Sequence, residues 1–268
     1  IPEGDKNFKG RAIQNMLNIE SDDSVNALLR LRGLNDEEFV KSHYVVFATK
    51  NGTVKKTCLE AYSRPRANGV NAINILEGDE VVDVRLTNGK NEIILANRNG
   101  RAVRFDEDAV RSMGRVSTGV RGMQLDGDDD QVVGMIIVNN AETETVMVVS
   151  ENGYGKRSQV EDYRKTNRGG KGVKTFSITE KTGRLVAIKN VTDDNDLMII
   201  NKSGIAIRLA VSDCRVMGRA TQGVRLINLT KKNDVIASVC KVMSSELEAK
   251  LADDQNTPEE QDATTEKE

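Results

Sequence analysis

The stretch "TNRGGKGVK", residues 166–174, sets Arg168, Lys171 and Lys174 among Gly169, Gly170 and Gly172, with no acid and no aromatic residue. Cations on a glycine-rich path suit phosphate, because the side chains supply charge and backbone N–H groups approach an oxyanion closely where no Cβ intervenes. A nucleotide-binding P-loop needs four residues between its first Gly and Gly-Lys-Ser/Thr. Here the spacing is shorter, and Val173 stands where the hydroxyl should be. The loop therefore reads as a contact for a polyanion backbone. Other chemistry is scarce. His43 is the single histidine and opens the apolar run "YVVFA" as a strand-start residue, which removes His-dependent triads. Cys58, Cys214 and Cys240 are far apart and odd in number. They have neither metal-ligand spacing nor a disulfide framework, which suits a reducing cytoplasm. Tyr44, Tyr62, Tyr154 and Tyr163 lack the acidic cluster that phosphoryl transfer uses.

The elements that must position this loop repeat along the chain. An apolar run, a Gly turn and a second run recur as "YVVFATKNGTVKKT", "EIILANRNGRAVRF", "TVMVVSENGYGKRS" and "DLMIINKSGIAIRL", with turn glycines at 52, 100, 153 and 204. Asn-Gly between two β-rich runs is a strong hairpin signal. A second motif follows each hairpin: "RANGVNAINI", "STGVRGMQL", "RGGKGVKTFSI" and "TQGVRLINL". A third strand follows that: "DEVVDVRL", "DQVVGMII", "GRLVAIKN" and "NDVIASVC". A period of roughly 50 residues with about four strands per unit predicts an all-β, propeller-like fold of small antiparallel sheets. Aromatic residues are only 3% of the chain, so the core must be β-branched and aliphatic. The repeat boundaries fall near 43–90, 91–143, 144–194 and 195–243. Residues 1–42 form a partial unit, "FKGRAIQNML" then "DDSVNALLRL", that lacks its hairpin, so the chain is expected to be a piece of a longer protein.

Charge is unevenly distributed. Residues 244–268 carry nine acidic and two basic side chains, leaving 37 cations against 32 carboxylates in the body. That acidic, aromatic-free tail is expected to be disordered and to compete with an anionic partner. Within the repeat, the fourth residue after each turn glycine is basic: Lys56, Arg104, Arg157 and Arg208, with Lys55, Arg101 and Lys156 in the same hairpins. Further sets precede and follow the second motif: Arg64, Arg66, Arg115, Arg168, Lys171 and Arg219, then Arg121, Lys174 and Arg225. A position fixed in every repeat lies on the same face of every sheet, so these cations are expected to line a solvent-facing rim. Reversing Arg104, Arg157 and Arg208 together should then abolish DNA bending and leave the fold intact. Duplex DNA fits such a track better than RNA or single strands, which call for aromatic stacking that this chain lacks. Sequence preference should be weak and arise from DNA bendability. A protein-interaction platform would instead need an apolar or mixed-charge face.

The stretches "FATKNGTVKKT", "AVRSMGRVSTGVRGMQL", "SENGYGKRSQVEDY" and "RVMGRATQGVRLI" resemble the C-terminal DNA-wrapping domain of the bacterial DNA gyrase A protein, over residues 1 to about 243. The resemblance implies a six-bladed β-pinwheel whose neighbouring blades exchange strands and whose outer edge bends DNA; this chain would lack roughly the first blade and a half. It implies a non-catalytic part of an ATP-dependent, negatively supercoiling type II topoisomerase, with ATP and Mg²⁺ used elsewhere and no cofactor in this segment. It also implies the gyrase B protein and the rest of the gyrase A protein as partners, and a cytoplasmic location. The family's basic box reads Gln-Arg-Arg-Gly-Gly-Lys-Gly and belongs to the first blade; Thr166–Gly172 is similar to it but lies in a later unit. The related domain of topoisomerase IV is the nearest alternative.

Overall fold

The computed structural model describes residues 11–15, 19, 24–31, 33–64, 66, 68–229 and 234–244. The acidic tail beyond Ser244 and much of the partial first unit lie outside the described residues. The chain divides into two compact units, the first of residues 1–139 and 163–175, the second of residues 140–162 and 176–268.

The strands follow the repeat. They are β1 (Tyr44–Thr49), β2 (Thr53–Cys58), β3 (Val81–Thr87), β4 (Glu92–Asn97), β5 (Arg101–Asp106), β6 (Val120–Arg121), β7 (Val132–Val138) and β8 (Thr145–Ser150). Then come β9 (Tyr154–Gln159), β10 (Val173–Lys174), β11 (Leu185–Val191), β12 (Asn195–Asn201), β13 (Ala206–Ala210), β14 (Val224–Arg225) and β15 (Ile236–Met243). One short helix, α1 (Glu37–Ser42), precedes β1; the Asp36 carboxylate caps it by accepting from the Glu38 and Phe39 N–H groups. His43 ends that helix and leads into β1, its Nδ1 lying 2.9 Å from the Phe39 carbonyl.

The sheets of the first unit run β3-β1-β2-β6 and β10-β5-β4-β7; those of the second run β11-β8-β9-β14 and β13-β12-β15. Each is built on an antiparallel hairpin, and the third motif of the repeat pairs with the hairpin's first strand. In all four sheets the pairing slips by one residue where the end of the first strand, at Thr49, Asn97, Ser150 and Asn201, meets the start of the third, and the extra residue, Val82, Val133, Val186 or Ala237, lies on the third strand. Such a bulge bends the third strand near its start.

The fourth strand is borrowed. The Val-Arg or Val-Lys pair of the second motif adds to the hairpin of the preceding repeat: β6 to β2, β10 to β5 and β14 to β9. This is the strand exchange that the pinwheel expectation calls for. The equivalent stretch Gly69-Val70-Asn71 forms no strand, and the described residues before β1 hold no hairpin of a preceding repeat for it to join.

Val, Ile, Leu and Met fill the cores. Val46, Val54, Ile93, Leu95, Val103, Phe105 and Met135 pack together in the first unit, and Met147, Val149, Leu197, Ile199 and Val239 in the second. Burying each such side chain contributes about 1.5–3 kcal/mol. A smaller cluster joins Val40 of α1 to Val45, Phe47 and Leu59. Hairpin strands are buried on both faces: β1 and β8 almost throughout, β2 and β9 at every central position. The edge strand β13 is the exception, exposed or half-exposed along its length.

Candidate nucleic-acid interface

Three junctions between successive hairpins share one plan. The carbonyl of the fourth residue after the turn glycine accepts from the N–H of an incoming loop: Lys56 from Met113, Arg104 from Thr166, and Arg157 from Met217, each at 2.8 Å. Two residues beyond that docking point come Arg115, Arg168 and Arg219. Six residues beyond it come Gly119, Gly172 and Gly223, and eight beyond it Arg121, Lys174 and Arg225. The three loops, "MGRVSTG", "TNRGGKG" and "MGRATQG", are therefore one structural element. The spacing of the second motif holds this signal, but only the docking bonds give it a register.

The glycines allow the loop to close onto the neighbouring hairpin. Gly172 has φ +71°, and a Cβ there would lie 2.1 Å from the Ala102 carbonyl oxygen; at Gly223, with φ +70°, it would meet the Gly155 carbonyl oxygen at 2.3 Å. Only glycine combines this left-handed backbone with so close an approach. Arg121, Lys174 and Arg225 are exposed, and each pairs with the residue just after a turn glycine: Thr53, Arg101 and Tyr154. The Tyr154 hydroxyl accepts from two nitrogens of Arg225, at 2.9 and 3.2 Å, which aims that guanidinium.

The hairpin cations differ from what their spacing predicts. Lys56, Arg104 and Arg157 are not on a solvent-facing rim. Lys56 is 5% exposed and donates to the carbonyl of the fully buried Glu107, with the Glu107 carboxylate 3.5 Å away. Arg104 donates to Glu92 at 2.5 Å and to the Tyr163 carbonyl at 3.1 Å. Arg157 donates to the Cys214 carbonyl and, at 2.6 Å, to Asp193. Arg208 is more open, yet it donates to Asp196 and to the Met243 carbonyl. The cause is the double-sided burial of the hairpins, which gives a cation at this position no solvent face, so it pins the loop that docks on its own carbonyl. Reversing these charges would therefore break the fold. The buried Glu107 went unnoticed in the sequence; its repeat equivalents are Leu59, Val160 and Val211, a mismatch that marks it.

Lys55 and Lys156 are likewise internal, at 0% and 1% exposure. The Lys55 ammonium donates to the carbonyls of Ala72 at 2.5 Å and Arg115 at 2.8 Å. That of Lys156 donates to the Gly218 carbonyl at 2.7 Å and the Ser158 hydroxyl at 3.1 Å. Burial pushes both down to about 8; the Arg115 charge adds to this at Lys55, and at Lys156 Asp162 opposes it while Arg219 adds to it. The equivalent residue in the middle hairpin is Val103, with no ammonium beneath the loop.

The "TNRGGKG" loop holds itself instead. Arg168 reaches back to the carbonyls of Ala109 at 2.8 Å and Arg121 at 3.0 Å. The Gly169 N–H donates to the Gly122 carbonyl at 2.7 Å, so it is engaged within the fold and not offered to an anion as expected. Lys171 bonds Asp126 at 2.6 Å, holding that carboxyl below its ordinary range, and Arg101 donates to the Gly172 carbonyl. Arg104, Arg164, Arg168 and Lys171 line a cleft along this loop. Gly170 is exposed at its tip; Arg64 and Arg66 are exposed after β2, and Arg115, Arg168 and Arg219 are half-buried. Among the described residues no group of three or more His, Cys, Asp or Glu side chains is placed to hold a metal ion, and no helix is long and apolar enough to cross a membrane.

Known proteins share this arrangement. The DNA gyrase A protein of Staphylococcus aureus (strain NCTC 8325 / PS 47) is 40% identical over 265 residues, 99% of this chain, and the chain spans 28% of that relative's length. The crystal structure of the C-terminal domain of DNA topoisomerase IV superposes with a TM-score of 0.79 at 27% identity, covering 92% of this chain and 76% of that one. The structure of a DNA gyrase A C-terminal domain superposes with a TM-score of 0.77 at 24% identity, covering 88% and 76%, and speaks to the fold alone. The family model of the DNA gyrase C-terminal domain, beta-propeller, matches residues 43–88, 91–139, 144–192 and 195–240, one segment for each hairpin-centred sheet. By those four matches the chain belongs to the DNA gyrase C-terminal domain family.

Proposed function

We propose that this chain is the non-catalytic DNA-wrapping domain of a DNA gyrase A protein, bending duplex so that an ATP-dependent type II topoisomerase introduces negative supercoils. The observation that carries the reading is the set of borrowed strands, each presenting an exposed cation at one register position: Arg121, Lys174 and Arg225. Lys171, Arg115 and Arg219 stand on the loops leading into them. Cations on rigid strand edges at repeated positions suit a phosphate backbone and offer no means of reading base edges. Arg64 and Arg66, exposed after β2, add two further cations open to phosphate. Lys55, Lys56, Arg104, Lys156 and Arg157 act behind it, as supports.

ATP and Mg²⁺ would act elsewhere in a cytoplasmic holoenzyme of two gyrase A and two gyrase B proteins, with no cofactor in this chain. The 40% identity to a gyrase A protein over nearly the whole chain supports gyrase over topoisomerase IV. About six phosphate contacts, one each from Arg121, Lys174, Arg225, Lys171, Arg115 and Arg219, give a slope near −5 when log affinity for duplex is plotted against log salt. Titrating this chain with a 40-base-pair duplex at several salt concentrations measures it. A slope near zero would overturn the reading.

A further inference from the structure

The loops carrying Arg115 and Arg219 are held from beneath in the same way, once in each compact unit. The ammonium of Lys55 ends on the Arg115 carbonyl itself, and that of Lys156 on the Gly218 carbonyl, one residue before Arg219. Both lysines leave the same hairpin position, three residues after a turn glycine. Among the described residues no carboxylate is hydrogen-bonded to either ammonium; their partners are carbonyls, the Ser158 hydroxyl and, for Lys55, the Phe47 ring 5.1 Å away. A buried cation without a carboxylate in direct contact is costly and must have another use. Here its use is directional. It gathers loop carbonyls and so fixes the backbone that carries the guanidinium of the same or the next residue.

We propose that Lys55 and Lys156 are positioning residues for DNA, protonated latches that hold the Arg115 and Arg219 loops in the pose that meets phosphate, so that binding duplex is coupled to proton uptake. This rests on the DNA-wrapping reading of the same surface. The charged and titratable groups facing Lys55 are Arg115 on the loop and Tyr62, whose hydroxyl shares the Ala72 carbonyl at 3.0 Å. Those facing Lys156 are Arg219 on the loop and Asp162, which follows β9. Arg115 repels Lys55 and Arg219 repels Lys156. A phosphate drawn to either arginine screens that repulsion and favours the protonated lysine. A neutral amine still donates to the carbonyls, but without charge assistance, and the loop loosens.

Folding and binding then respond to pH with opposite signs. The unfolded chain holds these protons up to about 10.5, the folded chain only up to about 8, so between those values the unfolded state binds more protons and these two groups make stability rise with pH. DNA affinity falls over the same range, because the latch needs the proton that the folded chain is losing. Each latch lowers affinity by up to about tenfold for each pH unit above its midpoint.

The test measures duplex affinity of this chain from pH 7 to 9.5, together with calorimetric proton uptake at pH 8.5 in two buffers of different ionisation enthalpy. The expected result is net proton uptake and affinity falling as pH rises. The paired variant Lys55→Met/Lys156→Met should bind more weakly at pH 7, show a flat profile to pH 9.5, and melt no lower than the unmodified chain. Zero proton uptake by the unmodified chain would overturn the latch and needs no variant to be folded. So would unchanged affinity of a folded double variant at pH 7. If the unmodified chain binds no duplex at pH 7, the DNA-wrapping reading falls, and the latch with it.

Discussion

Two rows of cations follow the repeat's register, one in all four hairpins and one in the three borrowed strands, and they have opposite fates. The hairpin row, Lys56, Arg104 and Arg157, lies inside, pinning loops to strands, whereas the borrowed-strand row, Arg121, Lys174 and Arg225, lies at exposed sheet edges. Both have perfect register in the sequence. Recurrence therefore establishes that a position is equivalent from unit to unit, and it leaves open whether that position faces water. What separates the rows is the strand each sits on: one is covered on both faces, the other is a two-residue edge.

The largest expected effect breaks the inner row. Arg157→Ala leaves the Cys214 carbonyl and Asp193 without their guanidinium and should cost about 3 kcal/mol, read as a drop in the urea midpoint. Similar in size is Gly172→Ala, which forces a left-handed backbone and places a methyl carbon 2.1 Å from the Ala102 oxygen; about 3 kcal/mol should be lost as β10 leaves β5. Gly218→Ala is its control, with nothing near the added carbon, and should stay within about 0.5 kcal/mol.

The buried Lys56–Glu107 pair sharpens the comparison within the inner row. Glu107→Val alone strands a buried ammonium together with the Asn91 N–H and the Thr87 hydroxyl and should cost about 3–5 kcal/mol, whereas Lys56→Met/Glu107→Val should recover the ion-pair part of that loss but not the two hydrogen bonds. Equal losses in the single and double variants would contradict the assignment of Lys56 as a structural cation. The outer row should behave in the opposite way. Replacing Arg121, Lys174 and Arg225 by Gln should leave the melting temperature within two degrees or so, and reduce the salt slope by about three. The smallest effect is expected at Lys171→Ala, whose exposed, solvent-screened pair with Asp126 should leave the urea midpoint all but unchanged.

The hairpins were legible because both of their determinants are local: a turn glycine, at 52, 100, 153 and 204, and flanking β-branched runs. The third strands were legible for the same reason. The borrowed strands were readable only as a motif, since two residues such as Val173-Lys174 show no periodicity and their partner β5 lies some seventy residues earlier. Burial of the inner cations was hidden for a different reason. "TVKKTC" and "YGKRSQ" read as polar edge strands, yet Lys55, Lys156 and Arg157 are buried along their long aliphatic stems while their tips find carbonyls. The glycine-rich loop stands out in the sequence by its three cations among three glycines. Its specialness is in part structural, because Arg168 and Gly169 replace the lysine that supports the other two loops.

The measurement that tests the central claim most directly is DNA topology. Closed circular plasmid is relaxed by a type I topoisomerase in the presence of increasing amounts of this chain, the protein is removed, and the linking number is read on a gel. A DNA-wrapping domain shifts the linking number in proportion to protein, and the Gln variant of Arg121, Lys174 and Arg225 abolishes the shift while remaining folded. An unchanged linking number at saturating, salt-sensitive binding would contradict wrapping and reduce the outer row to a DNA-docking edge.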